Sequence, residues 1–182
     1  MGELVDLGER RHHRMAMMAF GRWEQKVGYR PPPQARISDL PDPALACLAE
    51  LGREATLAIY DLVLGVRGWG PGERFSFLEA KPKIEALDAF LFLADQVRFD
   101  LMRRLGWVRG VAAESYPLLE LAARPQEIQA EFQPQLPRLT SQYPRYGEVE
   151  RRLSFEPAAV IRSLIPEALL IFRRLCREGE QP

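Results

Sequence analysis

The sequence predicts an all-α protein, an irregular bundle of about five to seven helices with proline-rich connectors. Apolar residues recur at helical spacing through most of the 182 residues. Alternation of apolar and polar residues, which is typical of strands, is nowhere sustained between turn residues, so a sheet is not expected. A hydrophobic fraction of 47% with 27% charged residues is typical of a globular chain. We therefore expect a single helical domain over residues 1–182.

The two connectors are predicted from proline-rich segments. Residues 3–27 have the pattern of a first helix, which ends at Gly28, a residue suited to the left-handed cap of a helix. Prolines then recur through residues 28–42, which indicates an extended segment along the surface. A second proline-rich connecting segment is predicted over residues 134–147.

The two clearest helices follow the first connector. One is predicted over residues 42–64, because Asp42 can serve as N-cap and the following proline suits the first helical position. The next helix ends at Leu105, where Gly106 is expected as a left-handed cap and Trp107 as a residue that folds back on the last turn. These features predict a pair of helices joined by the glycine-rich segment between them.

Prolines leave two helix boundaries open. The helix that ends at Leu105 starts either near residue 77, after a capping box, or at Pro82. Further helices are predicted over residues 115–123, 125–133 and 157–177. In the last of these, Pro166 either kinks the helix or divides it into two.

The segment "GVRGWGPGERF", residues 65–75, contains four glycines. A phosphate-binding P-loop requires a lysine and a hydroxyl after its last glycine, and a dinucleotide-binding loop follows a strand; this segment meets neither requirement. The glycines therefore indicate a helix stop and a chain reversal. Two interpretations of the remaining residues stay open. Trp69 folds over the helix end with stacked or solvated arginines, or Arg67, Trp69 and Arg74 bind a ligand.

A similar run of residues occurs at two places. "YDLVLGVRGWG" at residues 60–70 resembles "FDLMRRLGWVRG" at residues 99–110, with an aromatic-Asp-Leu start and Gly and Trp near a helix end. Two helix ends with the same cap chemistry produce such a likeness without internal duplication. We interpret the likeness in that way.

The histidines do not predict a di-iron site. Glu9 and His12 form the Glu-x-x-His unit of ferritin-like bundles, but such a site needs that unit twice and two further glutamates. The chain has only two histidines, adjacent at His12 and His13. A single metal held by one histidine and carboxylates is the alternative to a solvated helix face. No metal and no cofactor is expected.

A second stripe on the helix that ends at Leu105 contains two aspartates among apolar residues. Its members lie apart from the main apolar face: Ile84, Asp88, Phe92, Asp95, Phe99 and Met102. A purely solvated stripe would not contain two phenylalanines, so this face is expected to be covered. Asp88 and Asp95, with Phe92 and Phe99 beside them, are either paired charges at an intramolecular or dimer interface or acid/base residues in a pocket.

Composition excludes several classes of partner. The formal net charge is zero and no segment is strongly basic, so nucleic acid is not an expected partner. No apolar run approaches the ~18 residues of a membrane span and no targeting segment is visible, which predicts a cytoplasmic protein outside membranes. Cys47 and Cys176 are expected as buried thiols in a reducing compartment.

The leading functional hypothesis is a non-enzymatic protein. It is either an interaction or scaffold module, or a small-ligand-binding module, with a second copy of itself as partner, because the last helix is apolar around most of its circumference. The alternative is an enzyme of unknown reaction with a pocket near residues 65–75, where Arg67, Trp69 and Arg74 would meet another element, with Asp61 or Asp88 nearby.

Overall fold

The computed structural model describes residues 7–132 and 137–179, and it is mostly helical. Its α-helices are α1 (Leu7–Val27), α2 (Asp42–Glu50), α3 (Arg53–Gly65), α4 (Ala80–Arg104), α5 (Leu118–Ala123), α6 (Pro125–Phe132), α7 (Tyr146–Leu153), α8 (Pro157–Ser163) and α9 (Ile165–Glu178). Short 3-10 helices occupy Ile37–Asp39, Gly72–Phe77 and Ala112–Glu114. The all-α prediction is confirmed in its class, but the described residues form more helices than the five to seven predicted.

The helix predicted over residues 42–64 is two helices. Leu51 adopts a left-handed conformation with φ of 53°, and its N–H donates to the carbonyl of Leu48 at 3.2 Å, which ends α2. Gly52, in an extended conformation, then precedes α3. Asp42 is the first residue of α2 and not its N-cap, because its carboxylate pairs with Arg104 instead of the helix amides.

The structure decides the two helix boundaries that Pro82 and Pro166 left open in the sequence. Pro82 is the third residue of α4, where its missing N–H would have had no partner within the helix. Pro166 is the second residue of α9, and Leu164 separates this helix from α8. Pro166 therefore divides the predicted last helix, and Pro82 lies in the first turn of a helix that begins slightly earlier.

A small two-stranded sheet and helix α7 were not predicted from the sequence. Strand β1 (Val108–Arg109) pairs antiparallel with strand β2 (Arg138–Leu139). The N–H of Thr140 extends this pairing by donating to the carbonyl of Trp107 at 2.7 Å. Part of the predicted connector 134–147 thus lies in β2 and in the first turn of α7, and residues 133–136 lie outside the described part of the chain.

The central helix α4 organises the packing. It contacts α2, α3, α5, α6 and α9, and the 3-10 helix Ala112–Glu114. Helix α1 lies along α3 so closely that a Cβ added at Gly65 would meet the backbone of Met15 at 3.1 Å. The core is formed by large apolar side chains from these helices, including Phe20, Trp23, Leu45, Leu48, Ile59, Leu62, Leu64, Leu93 and Phe172.

Two aspartates are buried in the core of the described chain, each with cationic partners. Asp61 of α3 accepts from Arg22 Nε at 2.8 Å, from Lys26 and from the backbone N–H of Gly72 at 2.8 Å. Asp100 of α4 pairs with Arg103 at 2.7 Å and with Arg104 at 3.1 Å. Both carboxylates are fully buried, and both have cationic partners, as burial of a charge requires.

Arg104 also holds the first connector in place. Its guanidinium pairs with Asp42 and donates to the carbonyl oxygens of Leu40 at 2.8 Å, Ile37 at 3.2 Å and Ser38 at 3.3 Å. A planar group with five donors is suited to such a set of acceptors. The proline-rich segment is therefore attached to α4 through one side chain.

Candidate functional site

A cleft among the described residues lies along α4, on the second stripe predicted from the sequence. It has a volume of about 650 Å³. Asp88, Phe92, Asp95 and Phe99 all line it, and so do Leu91, Ala94, Gln96 and Arg98 of the same helix. The rest of its lining comes from other elements: Leu51, Gly110, Ala112, Pro125, Gln126, Gln129, Pro137 and Arg162.

The floor of the cleft is apolar. Phe92 and Phe99, seven residues apart on α4, are each more than nine-tenths buried. Ala94 and Ala112 are also buried and contribute small side chains, which leaves space beside the rings. Leu51, half-buried at the turn between α2 and α3, adds a branched side chain to the lining.

The mouth of the cleft is polar and contains one ion pair. Arg162 of α8 donates from Nη2 and Nε to Oδ2 of Asp95, at 2.8 and 3.1 Å. Gln126 and Gln129 of α6 are exposed and also line the cleft. Because Arg162 compensates the charge of Asp95, this rim offers an ion pair and not an isolated carboxylate.

Two further charged residues line the cleft without an ion-pair partner among residues 7–132 and 137–179. Asp88 is exposed. Arg98 is half-buried, and its Nε donates to the carbonyl of Ala49 at 3.0 Å, which holds the start of the side chain against α2. The four charged residues of the lining therefore sum to zero formal charge.

Gln96 is the one polar side chain of the lining that is buried, with 8% of its surface exposed. Its Oε1 atom has no hydrogen-bond partner among the described residues. A buried polar atom without a partner is uncommon, because its desolvation is not compensated. Gln96 and Arg162 belong to the cleft but not to the predicted set, since Gln96 lies beside the stripe and Arg162 comes from a distant helix.

The structure places the residues of the glycine-rich segment elsewhere. Arg67 donates from Nη1 to the carbonyl oxygens of Val63 at 2.8 Å and Ala122 at 3.0 Å, and its guanidinium carbon lies 5.6 Å from the centre of the Trp69 ring. Burial lowers the pKa of Arg67, an effect that the nearby Glu85 opposes. Arg74 is exposed at the end of the segment. These contacts connect α3 to α5.

A smaller pocket of about 230 Å³ lies beside this segment. It is lined by His13, Ala16, Val66, Leu119, Glu120, Ala123 and Arg124. Neither this pocket nor the cleft is lined by Arg67, Trp69 or Arg74. The structure thus brings Asp88, Phe92, Asp95 and Phe99 together around one cleft and leaves the arginines and tryptophan of the glycine-rich segment outside it.

The described residues contain neither a cluster of metal ligands nor a helix that could span a membrane. Within the described side chains, no three His, Cys, Asp or Glu residues are grouped to hold a metal ion. The side chains of Glu9 and His12, which carry the single-metal alternative, lie outside that part of the chain. Cys47 and Cys176 are free thiols, and burial raises the pKa of each. In the described residues, no helix has the length and apolar character needed to cross a membrane.

Comparison with known proteins adds no family. No family model, no curated protein and no solved structure matches the chain.

Proposed function

We propose that the protein binds a small organic molecule in the cleft along α4. The observation that carries this proposal is a volume of about 650 Å³ with an apolar floor and a polar rim. Ligand sites in proteins have volumes of roughly 300–1,000 Å³, with mostly apolar walls and a few polar groups that orient the ligand. The cleft has this size and this distribution of side chains.

The lining supports binding without covalent chemistry. Among the described residues of the cleft, none is Cys, Ser, Thr, His, Lys or Tyr. The nucleophiles and most of the acid/base groups that enzymes use are thus missing from that lining. Asp95 is engaged by Arg162 at 2.8 Å, so its carboxylate serves the rim. A binding module is the function that these side chains support best.

The test uses a fluorescent probe and a blocked cleft. We expect 1-anilinonaphthalene-8-sulfonate, a dye whose emission rises in apolar sites, to bind the wild-type protein with saturation. Gln129→Trp, which places a large ring at the rim from an exposed position, is expected to weaken this binding at least tenfold. Ala130→Trp, at the next position of α6, is exposed and outside the lining, and should bind the dye like the wild type.

The two tryptophan variants distinguish binding in the cleft from binding elsewhere on the protein. Equal weakening by the two tryptophan variants, or no effect of either, would show that the dye binds outside the cleft and contradicts the proposal. Native mass spectrometry of the purified protein gives an independent readout, since a co-purified small molecule should be retained by Ala130→Trp and lost from Gln129→Trp.

A second candidate role is self-association through the exposed apolar side of α4. Ile84, Leu87 and Leu91 are 61%, 41% and 53% exposed and share one stripe of the helix. Large aliphatic side chains grouped on a surface mark interaction sites. A stripe with this spacing on a long helix is complementary to the same stripe of a second copy, related by a two-fold axis.

Light scattering after size-exclusion chromatography tests this role. We expect a dimer for the wild type and a monomer for Leu87→Arg, because a charge in the centre of the stripe opposes its burial. Leu170→Arg is the matched control, since Leu170 is 63% exposed on α9 and lies outside the stripe. A monomeric wild type at micromolar concentration would contradict self-association and leave the cleft proposal unaffected.

A further inference from the structure

Arg98 is a half-buried cation in the lining of the cleft. Its Nε atom donates to the carbonyl of Ala49 at 3.0 Å, and no other group in residues 7–132 and 137–179 accepts a hydrogen bond from this side chain or forms an ion pair with it. Gln96 Oε1 is the one buried side-chain nitrogen or oxygen without a hydrogen-bond partner in that part of the chain, so the unpaired Nη1 and Nη2 atoms of Arg98 remain accessible. The guanidinium therefore keeps donors that the described residues do not use.

We propose that the ligand of the cleft is an apolar monocarboxylate whose carboxylate accepts hydrogen bonds from Nη1 and Nη2 of Arg98. This assignment rests on the proposed function, because it concerns the occupant of the same cleft. Two parallel N–H groups of a guanidinium match the two oxygens of a carboxylate, which makes the pairing selective for a planar anion. Aromatic and medium-chain aliphatic carboxylic acids belong to this ligand class.

The charge of Arg98 is not neutralised by the carboxylates that line the cleft. Asp95 lies three residues before Arg98 on α4, but it pairs with Arg162 at 2.8 Å. These three residues together therefore carry one positive charge. Asp88 lies ten residues before Arg98, roughly 15 Å away along the helix axis. A monoanion bound at Arg98 would bring the local sum of charges to zero.

An anion at Arg98 is favoured over a cation at Asp88 because the two residues differ in burial. Asp88 is exposed, so water screens its charge and an ion pair there contributes little. Arg98 is half-buried, and an opposite charge interacts more strongly as the surroundings become less polar. The carbonyl of Ala49, near the C-terminal end of α2, carries only a partial negative charge. It orients the guanidinium before a ligand arrives and leaves most of the charge uncompensated.

The apolar part of the ligand follows from the floor of the cleft. Phe99 adjoins Arg98 in sequence, and Phe92 precedes Arg98 by six residues, roughly 9 Å along the helix axis. Both rings are more than nine-tenths buried, and Leu51 and Ala94 also line the cleft. A body of two fused aromatic rings covers this distance. Its burial contributes affinity, and the pair with Arg98 selects the anion.

Three probes of one planar shape test the assignment. At neutral pH 2-naphthoate is an anion, 2-naphthamide is uncharged and 2-naphthamidine is a cation. We expect naphthoate to bind the wild-type protein about tenfold more tightly than naphthamide, the usual effect of a hydrogen bond to a charged group, and naphthamidine to bind most weakly. Added salt should weaken the binding of naphthoate and leave that of naphthamide unchanged. Chemical-shift titration of nitrogen-15-labelled protein measures the dissociation constants.

The variant Arg98→Met removes the guanidinium and keeps an unbranched apolar side chain. It should reduce the preference for naphthoate over naphthamide to less than about twofold, with the binding of naphthamide itself little changed. Arg98→Lys retains the charge and should retain part of the preference. Arg67→Met is the matched control, because Arg67 is also half-buried and donates to backbone carbonyls but lies outside the lining. It should show the full preference.

Two results would overturn the assignment. Equal binding of naphthoate and naphthamide by the wild type, or tighter binding of naphthamidine, would contradict selection of an anion whether or not the variants fold. A preference that persists in Arg98→Met would show that Arg98 only holds α2 in place, since a purely structural role changes stability and not the ratio between the probes.

The proposed function would survive either result if Gln129→Trp blocked the probes while Ala130→Trp did not. Failure of every probe and of the dye to respond to Gln129→Trp would instead count against the proposed function itself.

Discussion

Gly72 donates its backbone N–H to Oδ1 of Asp61 across 2.8 Å, and this contact joins the glycine-rich segment to the middle of α3. The approach is close enough to exclude any side chain at Gly72. An added Cβ would lie 2.5 Å from the carbonyl oxygen of Leu57 and 3.0 Å from the amide nitrogen of Asp61. Backbone atoms of a buried helix cannot move aside, so glycine is required here.

Gly72→Ala is therefore expected to destabilise the protein by about 2 kcal/mol, the effect of forcing extra atoms into a packed interior. Gly21→Ala is the matched control, because Gly21 lies inside α1 with nothing within 4 Å of an added Cβ. That change should stabilise the protein by about 0.5–1 kcal/mol through helix propensity. Denaturation in urea measures both; equal effects would contradict the close approach.

Asp61→Ala should lower the free energy of unfolding by about 3 kcal/mol, because it leaves Arg22 and Lys26 without their buried partner. It also removes the acceptor of the Gly72 amide. Glu24→Ala, at an exposed position on the opposite side of α1, should change stability by less than about 0.5 kcal/mol. A similarly small effect of both changes would refute a structural role for the Asp61 cluster.

Arg104→Lys should loosen the first connector, since an ammonium cannot reproduce the guanidinium contacts to Asp42, Asp100 and Leu40. We expect a loss of about 2 kcal/mol in the free energy of unfolding. Trypsin should also cleave faster after Arg36, within the connector. Mass spectrometry of early digestion products detects this cleavage. Arg174→Lys, exposed on α9, is the control and should leave the cleavage rate unchanged.

Stability should decrease at alkaline pH because of Tyr143. Burial raises the pKa of this phenol, and its hydrogen bond to Glu167 at 3.0 Å adds to the effect. A group whose pKa is higher in the folded state contributes full stability below its unfolded value of about 10 and loses it as the pH rises further. Tyr143→Phe should reduce this alkaline loss, and it should cost about 1 kcal/mol below pH 10. Urea denaturation on both sides of that pH measures the difference.

An unaltered alkaline slope in Tyr143→Phe would refute this assignment. Burial raises the pKa of Tyr60 as well, so a residual slope is expected in the variant. The comparison between the two proteins, and not the absolute slope, is therefore the informative quantity.

Helix ends could be predicted because their chemistry is local. Gly106 has φ of 77°, and Trp107 donates its N–H to the carbonyl of Met102 at 2.9 Å, as the cap prediction requires. Gly68 and Trp69 form the same motif at the end of α3, where the Trp69 amide bonds to Leu64 at 2.9 Å. The shared motif accounts for the likeness between the two segments without internal duplication.

The break between α2 and α3 could not be read from the pattern. Apolar residues continue through Leu51 at helical spacing, and a leucine is an unusual residue for the left-handed conformation that it adopts. The polar helix α7 was not predicted, for another reason. Its apolar residues, such as Val149, are only half-buried, and polar surface residues dominate its sequence, so no clear apolar stripe indicates a helix there.

The cleft was partly predictable. The spacing of Phe92 and Phe99 indicated that this side of α4 is covered, and both rings do line the cleft. Asp88, in contrast, is exposed. The sequence carried no signal for Arg162, which reaches Asp95 from 67 positions away, because such a pairing depends on how α8 packs. Gln96 was not predicted because its side chain is uncharged and lies at the edge of the stripe, so no pattern of charged or apolar residues includes it.

The cleft is lined by residues as distant along the chain as Leu51, Ala112 and Arg162. A molecule bound there would act as a reversible cross-link among three segments that only the folded chain brings together. Each tenfold increase of free ligand above its dissociation constant would then add about 1.4 kcal/mol to the free energy of unfolding. The supply of ligand would thereby set the lifetime of the protein against proteolysis, with no change in the chain itself.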